Sequence, residues 1–449
     1  MKTILIQNTK IINEGNSFKG SLLIEGDKIS KIFRDEVPGN ILQRAEMLID
    51  GADKWLIPGA IDTHVHFREP GLTQKGDFYT ESKAAIAGGV TSFLDMPNTM
   101  PFTTSAELLE QKAAIAAEKS LANFSFYLGA TDTNLEEIVN ADPKKVCGIK
   151  VFVGSSTGNM PVIQNEVLEQ IFAQSPILVA THNEDEEMIQ LNIQKYKAEF
   201  NGNPIPIIFH ELIRSSDACY NATARVIELA NQYNTRLHVL HLSTAKELAL
   251  FENKPPVEKR ITAETSVNHL WFDDLDYEKL GAKIKCNPSI KKEKSRLALL
   301  KAVENGTIDT IATDHAPHLL REKEGDALQA ASGIPSIQHA LSMMFELAKK
   351  GNFTKEQVVE KMCHNPARIF GIEKRGFIRK SFFADLTLID PNNPFSVESE
   401  DLLYKCGWSP LEGTTLSHRI THTFVNGELV YNQGVFNENS RGRLLEFMR

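Results

Sequence analysis

The chain has 449 residues, 42% of them hydrophobic and 24% charged, with a formal net charge of −9. That is enough chain for a large catalytic domain and a smaller companion, in an ordinary globular balance. The negative charge excludes the electrostatic footprint of a nucleic-acid or anionic-membrane binder, and no run approaches the ~18 apolar residues of a membrane span.

The opening "MKTILIQNTKII" runs straight into strand-like alternation without an apolar signal region, and the odd, sparse set of cysteines reads as that of a cytoplasmic protein. "GSLLIEGDKISKIF" alternates apolar residues on both sides of Gly26-Asp27, a hairpin signal. The C-terminal part shows the same alternation. There "ADLTLIDPNNP" is a strand and turn, and "HTFVNGELVYNQGVF" is a hairpin around Asn426-Gly427. The likeness of "LLIEGDKI" to "TFVNGELV" predicts that residues 1–57 and 375–449 build one small sheet domain.

Between them, over 58–374, the pattern changes. Short apolar runs fall at 59–66, 91–96, 123–129, 148–153, 177–181, 236–241, 260–264 and 308–313. Helical patterns separate most of them, such as "DFYTESKAAIAGG", "SAELLEQKAAIAAEKS", "ACYNATARVIELANQYN" and "KEKSRLALLKAVENG". Eight strands interleaved with helices predict an α/β fold of the (β/α)₈, TIM-like barrel type. A doubly wound open sheet is the alternative, but no GxGxxG loop follows the first strand. The five cysteines are scattered with no CxxC pair, and read as reduced thiols; Cys147 and Cys286 read as buried structural residues.

The unusual side chains sit at strand ends. In "GAIDTHVHFREPG" (59–71), alternation would turn His64, His66 and Arg68 to one face. Lys150 lies in the fourth run, His182 follows the fifth, His241 closes the sixth and Asp314 follows the eighth. A barrel gathers these strand ends at one mouth, where four histidines and an aspartate point to a metal site. A lone strand-end histidine is ordinarily a hydrogen-bonded structural residue, the reading given to His210, His238, His339 and His364. A lysine has no lone pair while protonated, and an ion-paired lysine is its bland reading. Inside a barrel, however, desolvation would free the amine of Lys150 to add carbon dioxide, giving a carbamate able to bridge two divalent ions.

The motifs "PGAIDTHVHFREPG", "DMPNTMP", "GIKVFVG", "THNED", "HVLHLST", "KCNPS" and "IATDHAPH", in this order, resemble the dihydroorotases of the amidohydrolase superfamily along nearly the whole chain. The resemblance implies a barrel paired with a β-sandwich made from both termini. It implies one zinc on His64, His66 and Asp314, a second on His182 and His241, and carboxylated Lys150 bridging the two. It assigns substrate recognition to Arg68, Asn98, Asn287 and His318. One departure is "KCNPSIK", with Ser289 and Lys291 where relatives usually carry a second proline and an arginine.

The implied reaction interconverts (S)-dihydroorotate and N-carbamoyl-L-aspartate in pyrimidine biosynthesis, through a hydroxide shared by the two zinc ions. Asp314 would act as proton shuttle, and Arg68 would clamp the substrate carboxylate with its planar fork. The expected partner is that small molecule, with no nucleic acid and no membrane, and relatives imply a homo-oligomer. Bland readings remain for two residues: Asn98 capping its turn, and His318 satisfying loop backbone. The segment 319–333, "LLREKEGDALQAASG", reads as a lid or as a plain surface loop. Two other functions compete. A dihydropyrimidinase, hydantoinase or allantoinase would share the metal residues but not the carboxylate-bearing substrate. A catalytically dead relative used for assembly would have lost metal ligands, and none of the six positions is lost here.

Overall fold

The computed structural model describes residues 2–154 and 164–449. Eight strands form the central sheet: β1 (Ala60–Val65), β2 (Val90–Asp95), β3 (Asn123–Gly129), β4 (Gly148–Val153), β5 (Val179–Asn183), β6 (Leu237–Val239), β7 (Ile261–Ser266) and β8 (Thr310–Ala312). Each pairs in parallel with its sequence neighbour. A parallel Val65–His315 bridge joins the first edge to the last, and the His66 amide donates to the His315 carbonyl at 2.8 Å. Side chains reinforce that seam, where Thr313 Oγ1 donates to Asp62 Oδ2 at 2.6 Å. This is the expected α/β barrel.

The strands are short, apolar and buried almost throughout, the composition of a parallel sheet covered on both faces. The helices begin where the sequence supplies caps. Asp77 accepts from the Thr80 amide at 2.8 Å and starts the helix Phe78–Ala87; Ser105 does the same for Ala106–Lys119. The helix Ser216–Tyr233 ends on Asn234, whose left-handed backbone stops it.

Strands from both chain ends join in one nine-stranded sheet. Its link is Trp55–Pro58, which pairs antiparallel with Leu386–Asp390 and parallel with Thr3–Asn13. The hairpins expected at Gly26-Asp27 and Asn426-Gly427 are present, joining Asn16–Glu25 to Lys28–Phe33 and Arg419–Val425 to Glu428–Asn432. Ile4, Ile6, Ile24, Leu56, Leu388 and Phe424 form a core of their own in this sheet. Among the described residues, no helix is long and apolar enough to cross a membrane, and all five cysteines are free.

Candidate metal centre and substrate pocket

Nine candidate residues line a single cavity at the strand ends: His64, His66, Arg68, Asn98, Lys150, His182, His241, Asn287 and Asp314. His318 stands behind them, its Nε2 3.1 Å from an Arg68 terminal nitrogen. Three of the ten, Arg68, His241 and Asp314, have left-handed backbones, with φ of 71°, 37° and 51°. Such conformations cost energy in non-glycine residues and collect where function over-determines the chain.

The strand alternation that would align His64, His66 and Arg68 holds only as far as His66. β1 ends at Val65, and Arg68 reaches the cavity through its left-handed turn instead of through the pleat. That turn packs on the segment carrying Asn98. Met100 N donates to the Pro70 carbonyl at 3.1 Å, and a Cβ on Gly71 would lie 2.1 Å from the Met100 carbonyl oxygen. Only glycine permits this approach, so the "REPG" and "PNTMP" motifs form one substructure.

One cluster consists of His64, His66 and Asp314, whose ligand atoms lie within 4.8 Å of one another. The two Nε2 atoms lie 3.2 and 3.1 Å from Asp314 Oδ1. Each ring is oriented from behind: His64 Nδ1 meets Glu264 Oε1 at 2.9 Å, and His66 Nδ1 meets Asn98 Oδ1 at 2.7 Å. Those acceptors place the ring protons outward and the lone pairs inward, as metal-binding imidazoles require. Burial would raise the Asp314 carboxyl, but His64, His66 and Lys150 outweigh it and bring it down to about 2. Burial pushes His66 down to about 4, so its ring is neutral at physiological pH.

The second cluster is His182 and His241. His182 Nδ1 faces His241 Nε2 at 2.9 Å, while His182 Nε2 is held by Glu184 Oε2 at 3.0 Å. Two imidazoles on one tetrahedral zinc would hold their nitrogens about 3.3 Å apart, close to this spacing. Burial lowers both pKa values, so both rings are neutral donors, and His241 Nδ1 is buried without a hydrogen-bond partner. Neutral nitrogens aimed together in a buried, polar cavity fit a divalent cation.

Lys150 stands among them, 1% exposed. No carboxylate lies within ion-pair distance of it among the described residues. Burial lowers its pKa to about 7, against the partial opposition of Asp314 and Glu264, so a large share of the amine is free near neutrality.

Arg68 is 4% exposed and donates through Nε to the Pro317 carbonyl at 3.0 Å. It too has no carboxylate within ion-pair distance among the described residues. Lys75 Nζ lies 3.1 Å from His318 Nδ1, and the Ser332 carbonyl lies 3.1 Å from His318 Nε2. Asn287 Oδ1 is buried in the cavity wall with no partner. The altered "KCNPSIK" loop keeps Asn287 there because Lys291 Nζ donates to Ser289 Oγ at 2.7 Å, and Ser289 Oγ donates to the Arg214 carbonyl at 3.0 Å. Segment 319–333 brings Ser332 and Gly333 into the cavity wall. It is tied down by Lys323, which donates to the Lys285, Ala331 and Gly333 carbonyls at 2.9, 2.7 and 2.9 Å.

Sequence reasoning did not single out Glu264 or Glu184. Both are wholly buried, and each anchors one histidine of a cluster; Glu184 also pairs with Arg214. A glutamate closing an apolar strand, as in "RITAE", was the available signal. Of the histidines read as structural, His210 bonds the Cys286 carbonyl and His364 the Gly376 carbonyl. His238 meets Thr262 Oγ1 at 2.8 Å and Glu264 at 3.4 Å, behind the first cluster.

A parallel barrel with such donors at its strand ends defines a class: metal-site barrels that do their chemistry at the mouth. The amidohydrolase family model matches residues 55–430. A dihydroorotase of Methanosarcina acetivorans is 33% identical over 99% of this chain and 96% of its own. A dihydroorotase of Pyrococcus furiosus is 31% identical over 96% of this chain and 94% of its own. Among solved structures, the L-hydantoinase of Arthrobacter aurescens superposes with a TM-score of 0.92 and 26% identity, over 99% of this chain and 100% of that one. The chain belongs to the amidohydrolase family, in the branch whose curated members are named dihydroorotase.

Proposed function

We propose that this chain is a dihydroorotase of pyrimidine biosynthesis, interconverting (S)-dihydroorotate and N-carbamoyl-L-aspartate, acting in the cytoplasm as a homo-oligomer. One observation carries the choice of substrate: Arg68 is a buried guanidinium in the wall of the metal-site cavity, without a carboxylate of the protein to pair with. Buried charges are ordinarily paired. A substrate carboxylate supplies the missing anion, and the bidentate fork fixes its orientation.

In this reading His64, His66 and Asp314 would hold one zinc, and His182 and His241 would hold a second. Lys150 joins them after its free amine attacks carbon dioxide, forming an N–C bond and releasing one proton, to leave an anionic carbamate with two oxygens. When bound, the metals supply Lewis acidity, which makes water a nucleophile at neutral pH and polarises the scissile carbonyl. Asp314, ionised in the resting site, takes the proton released as water attacks and delivers it to the leaving ring nitrogen. Asn98 keeps the His66 ring aligned while facing the substrate cavity. The Asn287 amide completes the polar wall, and His318, 3.1 Å behind an Arg68 terminal nitrogen, positions that guanidinium for the substrate. Glu264 and Glu184 hold ring tautomers.

Purified protein assayed side by side on dihydroorotate, dihydrouracil, hydantoin and allantoin tests the reading. Dihydroorotate should be turned over far faster than the three uncarboxylated rings. A preference for any of those three would replace it with another cyclic amidohydrolase.

A further inference from the structure

A second concave site lies away from the strand ends, where the terminal sheet meets the helix Ala340–Lys349 and the segment that follows it. It is a groove of about 1160 Å³ that shares no lining residue with the metal-site cavity. Five lysines line it (Lys10, Lys19, Lys54, Lys349 and Lys355) against two acids, Asp53 and Glu356. On a chain of net charge −9, that local excess of positive charge runs against the whole.

The register makes the excess costly. Lys10 of Thr3–Asn13 stands directly opposite Lys19 of Asn16–Glu25, and the other neighbour of Lys10 is Trp55. Directly opposed like charges destabilise a sheet pair. No carboxylate lies within ion-pair distance of Lys10, Lys19 or Lys54 among the described residues. Among the described residues Lys349 donates only to Ser417 Oγ, at 2.7 Å, while Lys355 pairs with Glu356 at 2.9 Å. The charged row ends at an aromatic wall. Trp55, half-buried, packs on Phe345 and His418 at ring separations of 5.4 and 5.3 Å, and Lys355 lies 6.0 Å from the indole. His418 is 4% exposed, and its Nδ1 has no partner.

A ligand suited to this groove carries several negative charges at one end and a flat ring at the other. We propose that it binds a nucleoside polyphosphate, the base against Trp55 and the phosphates among Lys10, Lys19, Lys54 and Lys349. Lysines serve phosphate as point charges, and an indole accepts any base by stacking. The anion relieves the Lys10–Lys19 repulsion that the protein itself leaves unbalanced. The site is distinct from dihydroorotate chemistry and stands or falls without it.

Equilibrium dialysis of the full chain with labelled ATP in magnesium-free buffer tests the proposal. The expected result is saturable binding of one ATP per chain, weakened by salt, competed by inorganic tripolyphosphate, and stronger than binding of adenosine by about tenfold or more. Lys10→Glu is the informative variant, because it turns a repulsive pair into an attractive one at an exposed position. It should raise the thermal midpoint while weakening ATP binding about tenfold. Lys19→Glu should do the same. Absence of saturable binding to millimolar ATP would overturn the proposal, as would unchanged affinity in both variants. Tighter binding of a single-stranded oligonucleotide than of ATP would assign the groove to nucleic acid. A lower molecular mass of the variants in solution would assign it to contact between copies of the chain. Either result ends the nucleotide reading.

Discussion

On one side of the strand-end cavity, His64 and His66 turn their Nε2 atoms to the same oxygen of Asp314, at 3.2 and 3.1 Å. On the other side, His182 and His241 face one another at 2.9 Å with no carboxylate among their inward partners. The first cluster carries its own anion, and the second does not. Two neutral imidazoles bind a divalent cation less firmly than two imidazoles and a carboxylate, because nothing offsets the charge. What the second cluster has nearby is Lys150, whose positive form adds to the burial that depresses both histidines and whose free form can become a carbamate. The asymmetry makes the lysine, as an anion, the element that completes the weaker half.

That reading breaks most visibly at Lys150. Lys150→Ala should lower metal content from about two ions per chain to about one, with turnover falling by about 10³-fold or more. Plasma mass spectrometry on the purified variant gives the count. Two ions retained would mean that His182 and His241 need no added anion. Loss of both would mean that the first cluster is not self-sufficient. Arg68→Met sharpens the comparison by touching neither cluster. With the substrate carboxylate left unpaired, kcat/KM for dihydroorotate should fall by about 10²- to 10³-fold while metal content stays at wild type. Equal loss of metal and activity would make Arg68 a support of the first cluster.

Much of this was legible in the chain, for identifiable reasons. The eight strands are marked by short apolar runs and the helices by caps such as Asp77 and Ser105, so the barrel follows from local pattern. The cavity follows because the marked residues stand at strand ends, which a barrel must gather. Arg68 was found for an incomplete reason, since its left-handed turn cannot be read from alternation. Glu264 and Glu184 were missed because a carboxylate behind a histidine is a three-dimensional relation between separate strands. The lysine groove was out of reach for a similar reason. The Glu14-Gly15 turn, which pairs Asn13 with Asn16, sets Lys10 opposite Lys19, but the groove also needs the helix Ala340–Lys349, a contact between distant parts of the chain.

The smallest effects fall on the glutamates behind the rings, and they test whether the clusters are separate. Glu264 holds the outer nitrogen of His64, and Glu184 that of His182. Glutamine in either place keeps an oxygen acceptor but loses the charge that makes the imidazole a stronger donor, an effect of about 10- to 100-fold on metal affinity. Glu264→Gln should therefore weaken the ion held by His64, His66 and Asp314. Glu184→Gln should weaken the ion held by His182 and His241, and with it the more easily removed of the two. Graded chelation followed by metal counting separates them: Glu184→Gln should shed its first ion at lower chelator concentration than wild type, with the second ion's release unmoved. If both ions leave together in either variant, the cavity is one cooperative site, and the division into a complete and an incomplete half is wrong.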